Sequence, residues 1–478
     1  MISLRLTLGD VAAIAPLLIL LLGSLAILLL ESFYEKGARK YSAWFTATVM
    51  AIAFVAAYLA PTSTNELLTP WIRFDFMARF FTLLFLAIGF TTTLLAIPFF
   101  QRFESSRGEF HFLLIAAVMG LILVGDSADF LTLFIGLETL SLALYVLCGY
   151  MKKWSISQEA SIKYFLTGAL AAAFLLYGIA LVYGAVGTTG FAALLPAYKG
   201  LDLVETRILF LTGISLVSIG LAFKAAVVPF HVWAPDVYEG ATTPVTAFMA
   251  VGTKAGAFAA FAVIFIGALA GFNAQWNQWV SFASMVTLVY ANFVALKQTQ
   301  LRRFFAYSGI SHAGFLLIPL VAGGEEAFDA LAFYLIVYVA ATLVAFAVLA
   351  FLDETQEGVM LKDLKGLFYR SPFLAGAFSF ALLTLAGIPP TAGFLAKFFV
   401  LSLAFEAGYY ALVIVALLMT IVAAFYYLRI VAVMFSELPE EATPLKRAAP
   451  ALVIACCSLL VLVVISLYPD QLLDLLGP

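Results

Sequence analysis

The sequence predicts an all-α polytopic membrane protein with fourteen transmembrane helices, and three observations support this. Hydrophobic residues make up 64% of the 478 positions and charged residues only 11%, whereas soluble domains are about 45–50% apolar and about 25% charged. The apolar runs are continuous and about 20 residues long, as membrane-crossing helices require. Lysine and arginine are concentrated in alternate loops. These features exclude a water-soluble enzyme, a disordered chain and an outer-membrane barrel, whose short strands alternate in polarity.

Polar breaks or breaks that contain glycine and proline separate the predicted spans. The spans lie near residues 10–31, 41–60, 76–100, 111–126, 130–150, 163–186, 206–228, 244–271, 276–297, 303–322, 327–352, 372–402, 408–435 and 448–468. No soluble domain fits between them, because the longest loops have only about 20 residues. Any chemistry must therefore lie within the membrane or in partner chains.

The distribution of basic residues predicts the orientation of the chain. Loops after odd-numbered spans hold fifteen lysines and arginines, and the opposite side holds five. Because cytoplasmic loops carry the excess of basic residues, we expect both termini on the periplasmic side of a bacterial inner membrane.

Composition also limits the ligands of this chain. A net charge of −3 offers no basic face for nucleic acid. The three cysteines, Cys148, Cys456 and Cys457, form no CxxC pair and are too few to hold an iron–sulfur cluster. No cluster of histidine, cysteine and carboxylate residues has the spacing of metal ligands. We therefore expect no cofactor and no metal site on this chain.

Two charged residues lie deep within predicted spans. Glu138 is eight residues into its span, and Lys254 is ten residues beyond Pro244, about 12 and 15 Å at the rise of an α-helix. A charge at the centre of a membrane helix costs roughly 2.5–3.5 kcal/mol, so such residues are candidates for function by default. The alternative is a structural ion pair that holds helices together.

Two further lysines stand beside interruptions of a span. Lys224 precedes Pro229 by five residues, and Lys397 follows the segment "TLAGIPPTAGF". Interrupted spans in corresponding halves of a chain are typical of transporters built from repeats. A kinked helix with a lysine that extends to the interface is the structural alternative.

Other polar residues in or near the spans allow two interpretations each. Lys163 begins a span on the cytoplasmic side, where extension to the interface competes with a relay role. Arg429 lies near a cytoplasmic helix end, which suits a cation and favours a structural role. His111 opens a span and is expected to be solvated. His231 and His312 are each either packing residues or proton carriers. His312 follows Tyr307, Ser308 and Ser311, which could hold water.

Five stretches in order carry a resemblance to a known family. They are "FIGLETLSLALYVLCGY", "EASIKYFLTGALAAAFLLYG", "GLAFKAAVVPFHVWAPDVYEGATTPVTAFMA", "QTQLRRFFAYSGISHAGFLL" and "TLAGIPPTAGFLAKFFVL". The sequence resembles the N subunits of bacterial proton-translocating NADH:quinone oxidoreductase, respiratory complex I, over nearly its whole length.

The resemblance implies an antiporter-like fold with two inverted five-helix repeats and with helices 7 and 12 broken. Residues 1–110 would form helices 1–3, 111–271 the first repeat (helices 4–8), 272–435 the second repeat (helices 9–13) and 436–478 helix 14. By position, Glu138, Lys224, Lys254 and Lys397 match the proton-relay residues of the family, and Lys163 matches a further lysine that the family carries.

Two positions bear on which member of the family the chain resembles. Arg302 stands where a relative has lysine in the loop before helix 10, a change that keeps the charge but alters hydrogen bonding. Lys397 favours the N type over the M type, which carries glutamate at that place. The L type has a long lateral C-terminal helix, which the ten residues after Tyr468 cannot supply.

The resemblance implies a non-redox subunit of a translocase, with no catalysis by the isolated chain. Protons would pass from cytoplasm to periplasm as Glu138 and Lys224 pair and separate, and then towards Lys254 and Lys397. Quinone reduction elsewhere in the complex would drive the cycle. Partners would include the M-type and the small K-type subunits and lipids, with flavin, iron–sulfur clusters and quinone on other chains. The alternatives are a subunit of a multi-subunit cation/proton antiporter and a non-pumping scaffold.

Overall fold

The computed structural model describes residues 6–33, 38–103, 108–270, 272, 275–324, 326–353, 355, 357–437 and 449–476. Within these residues, thirteen helices are long and apolar enough to cross a membrane. They are α1 (Ala15–Phe33), α2 (Ala38–Leu59), α3 (Phe76–Phe103), α4 (Gly108–Gly125), α5 (Phe130–Cys148), α6 (Ser155–Val186), α7a (Val204–Ala225), α8 (Thr243–Ala268), α9 (Asn277–Ala295), α10 (Leu301–Ala322), α11 (Ala327–Leu352), α13 (Tyr410–Met434) and α14 (Ala449–Leu467).

The fourteenth predicted span, near 372–402, consists of two shorter helices. These are α12a (Pro372–Ala386) and α12b (Ala392–Glu406). Gly387 ends α12a with φ of +79°, a left-handed conformation that glycine adopts without strain. Pro389 and Pro390 follow and cannot donate to a helical ladder. The count of thirteen long helices therefore differs from the predicted fourteen because the prolines divide one span.

Helix 7 is interrupted in a similar way. Helix α7a ends at Ala225, and Ala226 has φ of +57°, which is unusual for a residue other than glycine. After a non-helical segment that contains Pro229, the chain continues as α7b (Trp233–Gly240). Both interruptions thus begin with one left-handed residue directly after the last helical residue.

Helix α8 is continuous but irregular. It contains two π-helical stretches, Met249–Thr253 and Ala262–Ala268, on either side of the α-helical Lys254–Phe261. π-Helical turns inside α-helices are frequent at functional sites. The first of them ends directly before Lys254.

The chain divides into two compact units. The first comprises Met1–Ala96, Phe103–Lys224 and Ala255–Leu269. The second comprises Ile97–Arg102, Ala225–Lys254 and Ala270–Pro478.

In the first unit, pairs of glycines bring helices into close contact. A Cβ atom on Gly120 of α4 would lie 2.6 Å from the backbone nitrogen of Leu140, and one on Gly136 of α5 would lie 2.8 Å from the Gly120 carbonyl oxygen. Gly178 of α6 and Gly213 of α7a form an equivalent pair: a Cβ atom on either would lie 2.6 or 2.8 Å from the carbonyl oxygen of the other. Small residues allow such approach between membrane helices. These contacts position α5 and α7a, which carry Glu138 and Lys224.

In the second unit, α10 is entirely buried and α11 is largely buried. Phe304 and Phe305 of α10 pack edge-on or tilted against Tyr426, Tyr427 and Phe346. Aromatic pairs at such separations add to the stabilisation from buried area. The core of this unit therefore surrounds α10, the helix that carries His312.

The expectation that His111 is solvated was wrong. Its side chain is only 1% exposed, and its ring packs edge-on against Phe110. A Cβ atom on Gly108 would lie 1.9 Å from Glu31 Oε2 and 3.1 Å from Ile27. The first turn of α4 therefore packs against α1 at Gly108, and His111 in the same turn is buried.

Candidate functional site

Glu138 and Ser141 lie on one face of α5, three residues apart. The helix begins at Asp129, whose carboxylate accepts hydrogen bonds from the backbone nitrogens of Leu131 and Thr132. The buried Glu138 Oε1 has no hydrogen-bond partner among the described residues. Ser141 is 1% exposed, and its hydroxyl donates to the carbonyl oxygen of Leu137.

Lys224, one residue before the end of α7a, reaches α5. Its side chain is 4% exposed, and Nζ donates to the Ser141 hydroxyl oxygen. The rings of Tyr145 and Phe223 have their centroids 5.9 Å from Nζ. No nitrogen–oxygen contact of 4.0 Å or less joins Lys224 to Glu138, both of which are described. In this structure the ammonium group therefore contacts the serine.

Lys254 begins the central α-helical part of α8. It is 3% exposed, and Nζ donates to the carbonyl oxygen of Ala225 at 3.2 Å. The π-helical stretch before it leaves backbone carbonyls available, and the Tyr338 hydroxyl donates to that of Ala250 at 3.0 Å. A Cβ atom on Gly309 would lie 3.3 Å from Lys254 Cε and 3.1 Å from Tyr338 Oη. The small residue on α10 thus leaves room for the lysine and the tyrosine.

Lys397 lies in the second turn of α12b and points back to the interruption. It is 5% exposed, and Nζ donates to the carbonyl oxygen of Ala386 at 2.8 Å. Its Nζ also lies 4.7 Å from the centroid of the Phe315 ring, which is a cation–π distance. The acceptor is the last residue of α12a, at the negative end of a helix dipole.

His312 is at the centre of a buried hydroxyl network. Its Nδ1 lies 2.9 Å from Tyr334 Oη and its Nε2 lies 3.3 Å from Tyr427 Oη. Tyr427 Oη is in turn 2.5 Å from the hydroxyl of Ser308. The tilted Tyr338 ring lies 5.0 Å from the imidazole, centroid to centroid. Such hydroxyl and imidazole groups can both donate and accept protons.

A second polar chain lies beside this network. The Asn292 side-chain amide donates to the Ser311 hydroxyl at 2.8 Å, and the Tyr426 hydroxyl donates to the Asn292 amide oxygen at 2.9 Å. All three residues are buried. Ser308, Ser311 and His312, predicted as a polar group, are thus brought together with partners on α9, α11 and α13.

The remaining residues singled out from the sequence lie in other surroundings. Lys163 is exposed and forms an ion pair with Glu159 at 2.7 Å, one turn away on α6. His231 is 6% exposed between α7a and α7b, with its ring 4.6 Å from that of Tyr290. Arg429 donates to the carbonyl oxygens of Leu296 and Gln298 at the end of α9, which supports a structural role.

Arg302 is in the first turn of α10 and is 1% exposed. It donates to the carbonyl oxygen of Ala241 at 2.5 Å. A Cβ atom on Gly358, whose φ is +73°, would lie 2.5 Å from the guanidinium. Nearby, the carboxylate of Asp353 accepts from the Thr243 hydroxyl. Burial raises the pKa of Asp353, and the charge of Arg302 opposes that shift.

In the first unit, Asp126 lies in the connection between α4 and α5. Its Oδ1 accepts from the Thr82 hydroxyl at 2.9 Å. Burial raises the pKa of Asp126 to about 8, although Thr82 and the charge of Arg73 oppose the shift. The sequence reasoning did not identify Asp126, since a single aspartate between two spans gives no signal of burial.

Ser141, Tyr334, Tyr338 and Tyr427 were also missed. A usable signal existed for two pairs: Ser141 lies three residues after Glu138, and Tyr338 lies four after Tyr334, so each pair shares a helix face. In the described part of the chain, no group of three or more histidine, cysteine or acidic residues could hold a metal ion.

Comparison with known proteins places the chain in a family. Residues 127–423 match the family described as "NADH:quinone oxidoreductase/Mrp antiporter, TM". The chain is 57% identical over 473 residues to NADH-quinone oxidoreductase subunit N of Protochlamydia amoebophila, which covers 99% of this chain and 98% of that protein. The chain belongs to the NADH-quinone oxidoreductase subunit N family. The resemblance inferred from the five sequence stretches is thereby confirmed.

Other relatives agree with this membership. Subunit N of Chloroflexus aggregans is 38% identical over 441 residues, which cover 91% of this chain and 90% of that protein. A chain of respiratory complex I from Thermus thermophilus has a TM-score of 0.83 and 34% identity, and the match covers 97% of this chain and 99% of that chain. A chain of the Mrp complex from Dietzia sp. DQ12-45-1b also has a TM-score of 0.83, with 21% identity and coverage of 99% and 97%, and it shows the antiporter-like fold alone.

As a member of the N-subunit family, the chain is a membrane subunit of NADH:quinone oxidoreductase, a translocase. The identities of about a third or more apply to subunit N proteins and to complex I, whereas the Mrp similarity is limited to the fold. The expected fold class is therefore confirmed as an all-helical membrane protein of the antiporter-like kind.

Proposed function

We propose that this subunit moves protons across the membrane through Glu138, Lys224, Lys254 and Lys397, driven by quinone reduction elsewhere in the complex. The direction is from the cytoplasm to the periplasm, with both termini of the chain on the periplasmic side. This orientation rests on the fifteen basic residues in loops of one side against five on the other.

One observation carries the proposal: three lysines in membrane helices are buried, and each contacts an uncharged oxygen. Lys224, Lys254 and Lys397 are at most 5% exposed, and their acceptors are a serine hydroxyl and two backbone carbonyls. A buried ammonium group without a carboxylate partner is costly, and loss of its proton removes that cost. Lysines in such places are suited to exchange protons as their surroundings change.

Glu138 would control the first of these lysines. Its carboxylate lies one helical turn from Ser141, the present partner of Lys224. A carboxylate beside Lys224 favours the ammonium form, and separation of the two favours release of the proton. Conversion between these two arrangements would accept a proton and then pass it on.

The hydroxyl network around His312 supplies groups for the later part of the route. Tyr334, Tyr427 and Ser308 are linked to His312 by distances of 2.5–3.3 Å. Each group can accept one proton while it donates another. We propose that protons bound for Lys397 use this network. His231 remains a possible relay residue, while the exposed ion pair of Lys163 supports a surface role for that lysine.

The proposal extends to organisation and partners. Residues 111–271 and 272–435 would be the two inverted repeats, with 1–110 and 436–478 as flanking helices. The chain would contact other membrane-arm subunits, including the M-type and the small K-type subunits, and lipids. Flavin, iron–sulfur clusters and quinone would be bound by partner subunits.

The test uses the whole complex, reconstituted in vesicles, with Lys224→Ala or Lys397→Ala. We expect fewer protons moved per NADH oxidised in each variant, because each removes one proton-carrying group. Lys297→Ala, which replaces an exposed lysine at the end of α9, is the matched control and should pump as the wild type does. Unchanged stoichiometry and NADH oxidation in both relay variants would overturn the proposal.

The same vesicles distinguish the two alternative functions. Cation-dependent proton movement without NADH or quinone would favour an antiporter subunit. Wild-type coupling after neutralisation of both Lys254 and Lys397 would favour a scaffold. We expect the double variant to lose coupling, since the carboxylates needed to pair three buried lysines in a scaffold are not in contact with them among the described residues.

A further inference from the structure

The contact between Lys224 and Ser141 gives the Lys224 ammonium group a defined position away from Glu138. The Ser141 proton is used in the hydrogen bond to the Leu137 carbonyl, so its oxygen lone pairs face outward from α5. The ammonium of Lys224 donates to that oxygen. The serine thus acts as a pure acceptor for the lysine, and its orientation is fixed by its own helix.

Glu138 and Ser141 are neighbours on the surface of α5. Residues three apart on a helix have Cβ atoms about 5–6 Å apart. The lysine side chain has four methylene groups with free rotation. Rotation of the Lys224 side chain therefore suffices to move its ammonium from the serine to the glutamate, with both helices held by the glycine pairs Gly120–Gly136 and Gly178–Gly213.

An aromatic side chain of α5 lies beside the ammonium group. Tyr145, one turn after Ser141, places its ring centroid 5.9 Å from Nζ. The tyrosine itself is fixed, because its hydroxyl fills the space at Gly168, where a Cβ atom would lie 2.1 Å from Oη, and its ring packs edge-on against Tyr164. The ring face contributes a weak attraction to the cation, while the tyrosine hydroxyl is directed at Gly168.

We propose that Ser141 is a positioning residue that holds the Lys224 ammonium whenever it is separated from Glu138. The inference rests on the proposed relay. It adds the group that binds the Lys224 ammonium when Lys224 and Glu138 are not paired. Without the hydroxyl, Lys224 would lose its present partner on α5, and the Glu138 carboxylate would hold the ammonium for a larger share of the time.

The experiment compares Ser141→Ala, Ser141→Thr and Ser218→Ala in the reconstituted complex. Loss of a hydrogen bond to a charged group shifts the ratio of the two Lys224 positions towards Glu138 by about tenfold. Ser141→Ala should therefore lower the protons moved per NADH, and Ser141→Thr, which keeps a hydroxyl, should restore them. Ser218 of α7a bonds only its own helix, at the carbonyl of Ile214, in the described structure, and its alanine variant should pump normally.

A structural measurement accompanies the pumping assay. In a map of the Ser141→Ala complex that resolves side chains, Lys224 Nζ should lie at the Glu138 carboxylate. In Glu138→Gln it should remain at Ser141. If Ser141→Ala prevents assembly, Ser141→Cys replaces it, because a thiol has similar size but is a weak acceptor.

The outcomes separate this inference from the relay itself. Normal pumping by Ser141→Ala together with failure of Lys224→Ala would overturn the role of Ser141 alone. Equal loss in Ser141→Ala and Ser141→Thr, with Lys224 unmoved in the map, would also overturn it and indicate a packing role. Normal pumping by both Lys224→Ala and Lys397→Ala would overturn the relay.

Discussion

At both interrupted helices, the last backbone carbonyl before the interruption accepts a hydrogen bond from a lysine. The two lysines belong to different parts of the chain. Helix α7a ends at Ala225, whose carbonyl accepts from Lys254 of α8. Helix α12a ends at Ala386, whose carbonyl accepts from Lys397 of α12b, only eleven residues later. The last carbonyls of a helix have no intrahelical partner and carry a partial negative charge, so both ends suit an ammonium group.

The lysines that belong to the two interrupted helices differ in consequence. Lys224 lies before its interruption and contacts a side chain, Ser141, whereas Lys397 lies after its interruption and contacts its own helix. A side-chain acceptor can be exchanged for another, such as Glu138. A backbone carbonyl is fixed by the fold. The first site is thus built for switching, and the second depends on the geometry of its turn.

The largest effect should come from Gly393→Ala in the second interruption. The added Cβ would lie 1.7 Å from the carbonyl oxygen of Thr384, so α12b could not approach α12a. We expect a loss of about 3 kcal/mol or more in the free energy of unfolding, or failure to assemble. Thermal unfolding of the purified complex measures this.

Gly376→Ala is the matched control on α12a. Nothing lies within 4 Å of a Cβ atom there, and alanine stabilises a helix by roughly 0.5–1 kcal/mol relative to glycine. Equal stability of the two variants would mean that the second interruption is not rigid, and the contrast between the two sites would fail.

Asp126→Asn tests a half-buried carboxyl that lies between two spans of the first unit. Its folded pKa of about 8 exceeds the ordinary value of 3.8, so the folded state binds its proton more tightly. Stability should therefore fall as pH rises from about 4 to 8 by on the order of 1 kcal/mol per unit. The neutral asparagine removes this slope and should make the protein more stable than the wild type at pH 8.

Thermal unfolding of both forms between pH 5 and 9 checks the sign. A steeper loss of stability with pH in Asp126→Asn than in the wild type would contradict the expectation. Thr82→Val, which removes the hydroxyl that donates to Asp126 at 2.9 Å, should extend the loss of stability to higher pH, because it leaves the ionised carboxylate with one donor fewer.

Gly387→Ala addresses the Lys397 contact directly. Its φ is +79°, which costs a residue with a Cβ roughly 1–2 kcal/mol, and the new Cβ would lie 2.7 Å from Lys397 Cδ. We expect both lower stability and fewer protons per NADH, because the lysine must move off the Ala386 carbonyl. Gly408→Ala has φ of +83° with nothing near its Cβ. This control should lose stability but pump normally. Equal pumping by both variants would show that the position of Lys397 does not affect proton transport.

Part of this arrangement could be predicted from the sequence, and the remainder depends on the backbone. Long apolar runs located the helices, and the cost of buried charge singled out Glu138, Lys224, Lys254 and Lys397. The acceptors of Lys254 and Lys397 are carbonyl oxygens of alanines, which every residue carries, so no side chain marks them. Ser141 was missed although it lies three residues after Glu138 on the same helix face, because its own residue type does not distinguish it from serines that bond only their own helix. His111 was misplaced because its position at the start of a span does not reveal that its side chain is buried.

The smallest effect is expected from Ala226→Gly in the first interruption. Ala226 adopts φ of +57°, where Gly387 stands at the corresponding place in the second. Glycine removes a strain of roughly 1–2 kcal/mol, and its greater freedom in the unfolded chain offsets roughly 0.5–1 kcal/mol of that gain. The variant should be slightly more stable than the wild type. Ala173→Gly, in the exposed middle of α6, should instead lose roughly 0.5–1 kcal/mol. Opposite signs in the melting temperatures would show that Ala226 holds strain, whereas equal losses would show that the first turn is relaxed and that the two interruptions are alike.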